Sequence, residues 1–206
     1  MTKEQEKFYN LKKTQDYTVK GLDVDYKIFT DHDKKETILQ GEESDSRIDW
    51  LNNLLFIPWP LKLNYKTVWT TLGYARAYKS ANTMISEFLD VIISNPKDYK
   101  ICIRGWSFGS AIAKIAARHL ELLDIPCDEL TTYGDVKCWL NPFYKSKAKV
   151  CHEYVNPNDI VTYCVPFYHR DRKCKVGPKF KFFELFKCEY YHTHYEDYDY
   201  TIYEQD

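Results

Sequence analysis

The chain has 206 residues, 44% of them hydrophobic and 17% aromatic, with a formal net charge of −1. That length and composition allow one domain with its own core and exclude a disordered or low-complexity chain. The near-zero charge gives no global reason for a nucleic-acid or membrane partner.

The opening MTKEQEKFYNLKKTQ is charged and lacks the apolar core of a signal peptide, so residues 1–20 are expected as a peripheral segment of a single domain spanning 1–206. The longest apolar run, Leu54 to Leu61, contains two prolines and is far too short to span a bilayer. Seven cysteines occur singly, with no CxxC pair, which predicts reduced thiols and a cytoplasmic protein.

Val24–Thr30 and Glu36–Gln40 read as strands around the polar turn Asp31-His32-Asp33-Lys34, a hairpin pattern. Asp45–Leu55 opens with capping residues and reads as a short helix. The apolar patch Phe56-Ile57-Pro58-Trp59-Pro60 follows, and its prolines are expected to keep it irregular. Ala81, Met84, Ile85, Phe88, Leu89 and Ile92 recur at helical spacing and predict an amphipathic helix over Ser80–Ile93, ended by Asn95-Pro96. Tyr99–Ile103 has strand length, and Ser110–Leu123 is the next helix, with alanines keeping one side small. Further strands fit Glu129–Tyr133 and Val150–Val155. Strands alternating with helices, with polar turns at the strand ends, predict an α/β fold with a mostly parallel central sheet.

Between the strand at Tyr99 and the helix at Ser110 lies Gly105-Trp106-Ser107-Phe108-Gly109. A Gly-x-Ser-x-Gly turn between a buried strand and a small-residue helix suits a nucleophilic serine, because the glycines permit a tight turn and the helix N-terminus faces developing negative charge. A serine hydroxyl needs a base and a group to orient that base. Asp159 follows the strand Val150–Val155 in VNPNDIVTYCVP, and His192 lies in CEYYHTHYEDY. The chain order Ser, Asp, His is the one α/β-hydrolases use. His194 is two residues further on and shares a face with His192 if the segment is extended, so both remain candidates for the base. His152 and His169 flank Asp159 and fit less well.

These segments together resemble the class 3 (fungal-type) lipases of the α/β-hydrolase fold, over about Tyr26 to Tyr198. GWSFGSAIA stands where that family has G-H-S-L-G-G-A-x-A. Asn158-Asp159-Ile160-Val161 matches its N-D-I-V stretch, and Tyr190, His192, Glu196 and Tyr198 keep the register of its histidine tail. Gly73-Tyr74-Ala75-Arg76-Ala77-Tyr78 resembles its G-F-x-x-A-Y segment, and Tyr133-Gly134-Asp135 loosely matches its F-G-x-P-R. Gln40-Gly41-Glu42 stands in place of Arg-Gly-Thr/Ser.

The resemblance implies a serine carboxylic-ester hydrolase acting on lipid or other acyl esters, with Ser107, His192 and Asp159 as triad. The backbone N–H groups of Phe108 and Glu42 would form the oxyanion hole. A carboxylate at 42 is unfavourable beside a developing oxyanion unless it points away. A weakly active or inactive binding module of the same fold is therefore a competing expectation, and a thioesterase or peptidase with the same triad is another. The resemblance also places Trp50, Leu54, Phe56 and Trp59 in a lid or acyl pocket; a core helix with a packed loop is the alternative.

Arg170–Lys187 holds seven Lys/Arg against two acidic residues, with four phenylalanines interleaved. Such a stretch suits head groups or nucleic acid, but a solvated β-hairpin balanced by the acidic tail is the plainer expectation. Transient contact with a lipid surface is expected of such an esterase, and a nucleic-acid partner is not. Cys164, His169, Cys174, Cys188 and His192 match no zinc spacing, so no metal or cofactor is implied.

Overall fold

The computed structural model describes residues 17–20, 25–41, 56–81, 83–170, 173–175 and 188–193. Its strands are β1 (Tyr17–Lys20), β2 (Asp25–Asp31), β3 (Glu36–Gly41), β4 (Pro58–Leu63), β5 (Lys66–Thr71), β6 (Lys100–Trp106), β7 (Glu129–Tyr133), β8 (Val150–Val155) and β9 (Lys173–Lys175). Its helices are α1 (Leu72–Ser80), α2 (Met84–Ser94), α3 (Phe108–Glu121), a 3-10 turn at Ile160–Tyr163, and α4 (Cys188–Thr193).

Among the described residues, seven strands form one sheet in the order β1-β2-β3-β6-β7-β8-β9. The β1–β2 and β2–β3 pairs are antiparallel, and β3, β6, β7, β8 and β9 run parallel. Both faces of the parallel centre are covered, yet only β6 carries a run of three apolar residues, Ile101-Cys102-Ile103, while β7 and β8 mix apolar residues with Thr, His and Glu. One face supplies Leu39, Ile103, Leu130 and Cys151 to the main core, packed against Tyr74 and Ala77 of α1, Phe88 of α2 and Ile112 and Ile115 of α3. Alternate residues turn to the other face, where Ile38 and Cys102 meet Phe29, and Trp106 meets Tyr191 of α4.

The strands at Glu129–Tyr133 and Val150–Val155 form as the sequence predicts, and so does the β2–β3 hairpin. Three elements differ from the expectation. The patch around Pro58 and Pro60 is a regular strand: β4 pairs with β5 in a separate two-stranded sheet. The Ile57 carbonyl accepts from Leu72 N at 2.8 Å, so odd-numbered residues here aim their backbone groups at the partner strand. The prolines, at even positions, turn their missing N–H toward the open edge, where proline is tolerated.

The helix expected from Ser80 begins instead at Met84. Ser80 is the last residue of α1, and its hydroxyl donates to Ala77 O at 2.7 Å, a competing local bond at the helix end. The helix expected from Ser110 starts at Phe108, directly after the serine. Within the basic stretch, β9 adds to the sheet parallel to β8, while 171–172 and 176–187, where the hairpin expected of this stretch falls, lie outside the described residues. The expected helix at Asp45–Leu55 lies outside the described residues.

Candidate active site

Ser107 sits between the end of β6 and the first residue of α3, with φ 51° and ψ −120°. A non-glycine residue pays strain for that conformation, of order 1–3 kcal/mol, which the surroundings must impose. The imposition comes from glycines. A Cβ at Gly105 would lie 2.7 Å from Gly109 C and 2.8 Å from the Ser110 Cα. Gly41 of β3, paired in register with Gly105, is under the same pressure: a Cβ there would lie 2.7 Å from the Gly109 carbonyl oxygen. The ends of two strands and the first turn of α3 thus meet backbone to backbone. Ser107 N donates to Tyr133 O at 2.9 Å, which ties the turn to β7 as well.

Asp159 lies beyond β8 and is fully buried. Its backbone N–H donates to Asn156 O at 3.0 Å, its Oδ1 accepts from Val161 N at 3.0 Å, and its carbonyl accepts from the Thr162 hydroxyl at 2.8 Å. With Oδ1 engaged as the cap of the 3-10 turn, Oδ2 points at His192 Nδ1, 2.7 Å away. His192 Nε2 is 2.7 Å from Ser107 Oγ. A carboxylate only accepts, so Nδ1–H donates to Asp159 and Nε2 is left to accept from the serine hydroxyl. Ser107 and His192 are buried as well.

The neighbour of His192, Tyr191, anchors α4. It is buried with Trp106 in a cluster that includes Tyr133 and Tyr154. Trp106, Tyr133 and Tyr154 are cross-strand partners on β6, β7 and β8, and their rings stack at centroid distances of 5.4 and 5.3 Å. Trp106, which stands where the lipase elbow has histidine, is thus an aromatic support for the segment that carries His192.

Phe108 opens α3, where backbone N–H groups precede the helix's own hydrogen-bond ladder, and its ring meets Tyr74 edge-on at 5.4 Å. Ser110, a second departure from the lipase pattern, is buried, and its hydroxyl accepts from Val136 N at 3.2 Å. Phe56 is half-buried, and its carbonyl accepts from the Tyr168 hydroxyl at 3.1 Å; Trp59 is partly exposed on β4. Glu42, Trp50, Leu54 and His194 lie outside the described residues, although Glu42 directly follows the Gly41 contact with α3.

Sequence reading missed a buried ionic group beside this site. Lys114 of α3, fully buried, places Nζ 2.9 Å from Asp135 Oδ1, 3.6 Å from Glu153 Oε1 and 2.6 Å from Val136 O. Arg170, the first residue of the basic stretch, is turned inward to the same Asp135, with Nε 3.0 Å from Oδ2. The available signal was one lysine inside the otherwise apolar AIAKIAA. Elsewhere Glu36, Cys102 and Glu129 converge with ligand atoms within 4.8 Å of one another. Arg104 fills the role of their cation, with Nη2 3.1 Å from Glu36 and 3.9 Å from Glu129. Burial pushes the Cys102 thiol up to about 12, so it stays protonated there.

A mostly parallel sheet with its serine on a strained strand-to-helix turn, and Asp and His arriving later in the chain to meet it, defines an α/β-hydrolase fold. A sequence profile described as Lipase (class 3) matches residues 38–169, and the chain belongs to that family.

Among solved structures it is similar to the triacylglyceride lipase of Rhizomucor miehei, with TM-score 0.65 and 20% identity over 77% of this chain and 64% of that one. Lipase II of Rhizopus niveus gives TM-score 0.65 and 18% identity over 77% and 64%. A mutant form of MDLA from Penicillium cyclopium gives 0.61 and 19% over 79% and 63%. At these identities the likeness is one of fold, and the chain spans less than two thirds of the length of each of the three. No curated protein sequence matches it. Among the described residues no helix is long and apolar enough to cross a membrane.

Proposed function

We propose that this chain is a serine carboxylic-ester hydrolase that works through an acyl-enzyme on acyl esters of lipids. The observation that carries the reading is the buried relay from Ser107 Oγ to His192 Nε2 and from His192 Nδ1 to Asp159 Oδ2, each link 2.7 Å. Ser107 Oγ attacks the ester carbonyl carbon while His192 Nε2 takes the hydroxyl proton. Asp159 holds the imidazole in the tautomer that can accept and stabilises the imidazolium that forms. The carbonyl oxygen, now an anion, is received by the backbone N–H of Phe108 and by that of Glu42. Collapse breaks the acyl–oxygen bond, and His192 returns its proton to the departing alcohol. Water then attacks the acyl-serine by the same proton route in reverse and frees the acid.

The lipid class of substrate is supported by family membership and by likeness to solved triacylglycerol lipases. Partly exposed Trp59 and half-buried Phe56 suit an apolar acyl chain or a transient lipid-surface contact. Singly spaced cysteines suit a reducing, cytoplasmic setting.

A fluorophosphonate probe tests the chemistry: the wild-type protein is expected to label, and Ser107→Ala is expected not to. An unlabelled wild type overturns the reading and leaves a binding module of the same fold. A panel of p-nitrophenyl esters of increasing chain length, beside acyl-thioesters and amides, then sorts esterase from thioesterase and peptidase.

A further inference from the structure

Four ionisable side chains are gathered beside the site: Lys114 of α3, Asp135 just beyond β7, Glu153 of β8, and Arg170. The first three are fully shielded from solvent, and the Arg170 side chain is 8% exposed. Two positive and two negative groups cancel formally, which is the condition under which such burial is tolerated. Their connections have a direction. Lys114 belongs to the helix that begins directly after Ser107, and it grips Asp135 at 2.9 and 3.0 Å. Thr132 of β7 donates to Asp135 Oδ1 at 2.9 Å and fixes that carboxylate. Arg170 then uses the guanidinium fork on both sides of a gap. Nε donates to Asp135 Oδ2 at 3.0 Å and Nη2 to Asp135 O at 2.7 Å, while Nη2 also donates to the carbonyl of Thr162. Thr162 is buried and donates its own hydroxyl to Asp159 O at 2.8 Å.

We infer that Arg170 is a positioning residue for Asp159: it ties the 3-10 turn that Asp159 caps to the helix that carries Ser107, and so sets the distance across the relay. The inference rests on the proposed reading of Ser107, His192 and Asp159 as a working triad. Lysine cannot replace this arginine, because an ammonium is a single point of attachment and lacks a rigid fork spanning two partners. Serine and acid stand on separate elements, and their separation is held from behind by Arg170 through Asp135, Lys114 and Thr162.

The experiment compares wild type with Arg170→Met and Arg170→Lys by two readouts. One is the low-field proton resonance of His192 Nδ1–H, which reports the bond to Asp159 whether or not the protein hydrolyses anything. The other is kcat and KM on a short p-nitrophenyl ester, per active site titrated with a fluorophosphonate, so that unfolded protein is not counted. Arg170→Met is expected to lose the resonance to exchange and to lower kcat about 100-fold, the scale of an ångström of misplacement, with little change in KM. The acid limb of its pH–rate profile is expected to move to lower pH, since a weakened carboxylate contact lowers the imidazole pKa.

Arg170→Lys is expected to keep the fold and fall short of wild type in both readouts; it decides the matter if the methionine variant does not fold. A resonance and a kcat per titrated site equal to wild type in the folded variants would overturn the inference. A wild type that shows the resonance but neither labels nor hydrolyses overturns the proposed function instead, and the resonance in the variants still decides the role of Arg170.

Discussion

The backbone of Gly41 at the end of β3 lies so near Gly109 on the first turn of α3 that a methyl group at position 41 would stand 2.7 Å from the Gly109 carbonyl oxygen. Nothing at that contact is a flexible side chain that could move aside. Gly41→Ala and Gly105→Ala are each expected to cost about 1–3 kcal/mol, the usual range for overpacking a filled interior. Urea unfolding midpoints measure it. Midpoints equal to wild type would show that the strand ends and the helix can separate without penalty.

Ser107 carries backbone strain that its side chain does not relieve. Its φ of 51° and ψ of −120° suit glycine. Ser107→Ala and Ser107→Gly both remove the hydroxyl, and only glycine releases the strain. Ser107→Gly is therefore expected to be more stable than Ser107→Ala by about 1 kcal/mol, the strain released less the entropy glycine gains when unfolded. Equal thermal midpoints of the two variants would argue that the elbow is relaxed.

His119, near the end of α3, places Nδ1 2.8 Å from the Tyr78 hydroxyl, and burial holds its pKa below the ordinary 6.5. Burial also holds the Tyr78 phenol well above its usual pKa, so it remains a neutral donor to the imidazole. The folded protein then resists a proton that the unfolded chain accepts. Stability from this group is complete above 6.5 and is lost as pH falls below it, because the unfolded state binds more protons there. His119→Gln is expected to flatten the decline in denaturant midpoint between about pH 7 and 5 relative to wild type. Parallel declines would assign the acid sensitivity to other groups.

Much of the molecule was legible in its residues because the relevant interactions are local. Glu129–Tyr133 and Val150–Val155 announce themselves as segments of strand length closed by polar turns, and α3 as a run of small residues after a glycine-flanked serine. The order Ser107, Asp159, His192 survives folding because chain order is not altered by it. The register of Tyr190, Glu196 and Tyr198 favours His192 over His194, but spacing alone does not exclude His194, since residues two apart share a face in an extended segment; in the structure, α4 turns His192 toward Ser107 and buries Tyr191 beside Trp106.

By itself the sequence determined what depends on neighbours along the chain: the parallel α/β pattern, the glycine-lined turn and the residue types that meet there. The tertiary structure decided what depends on neighbours across it. Pro58 and Pro60 fit a strand only because that strand has an open edge. Arg170 heads a basic run by composition, yet Asp135, 35 residues away, and Thr162 turn it inward. Lys114 is an oddity in an apolar helix until Asp135 and Glu153 arrive from other strands. A buried charge depends on the field of partners that folding brings together, and no local pattern of residues encodes that field.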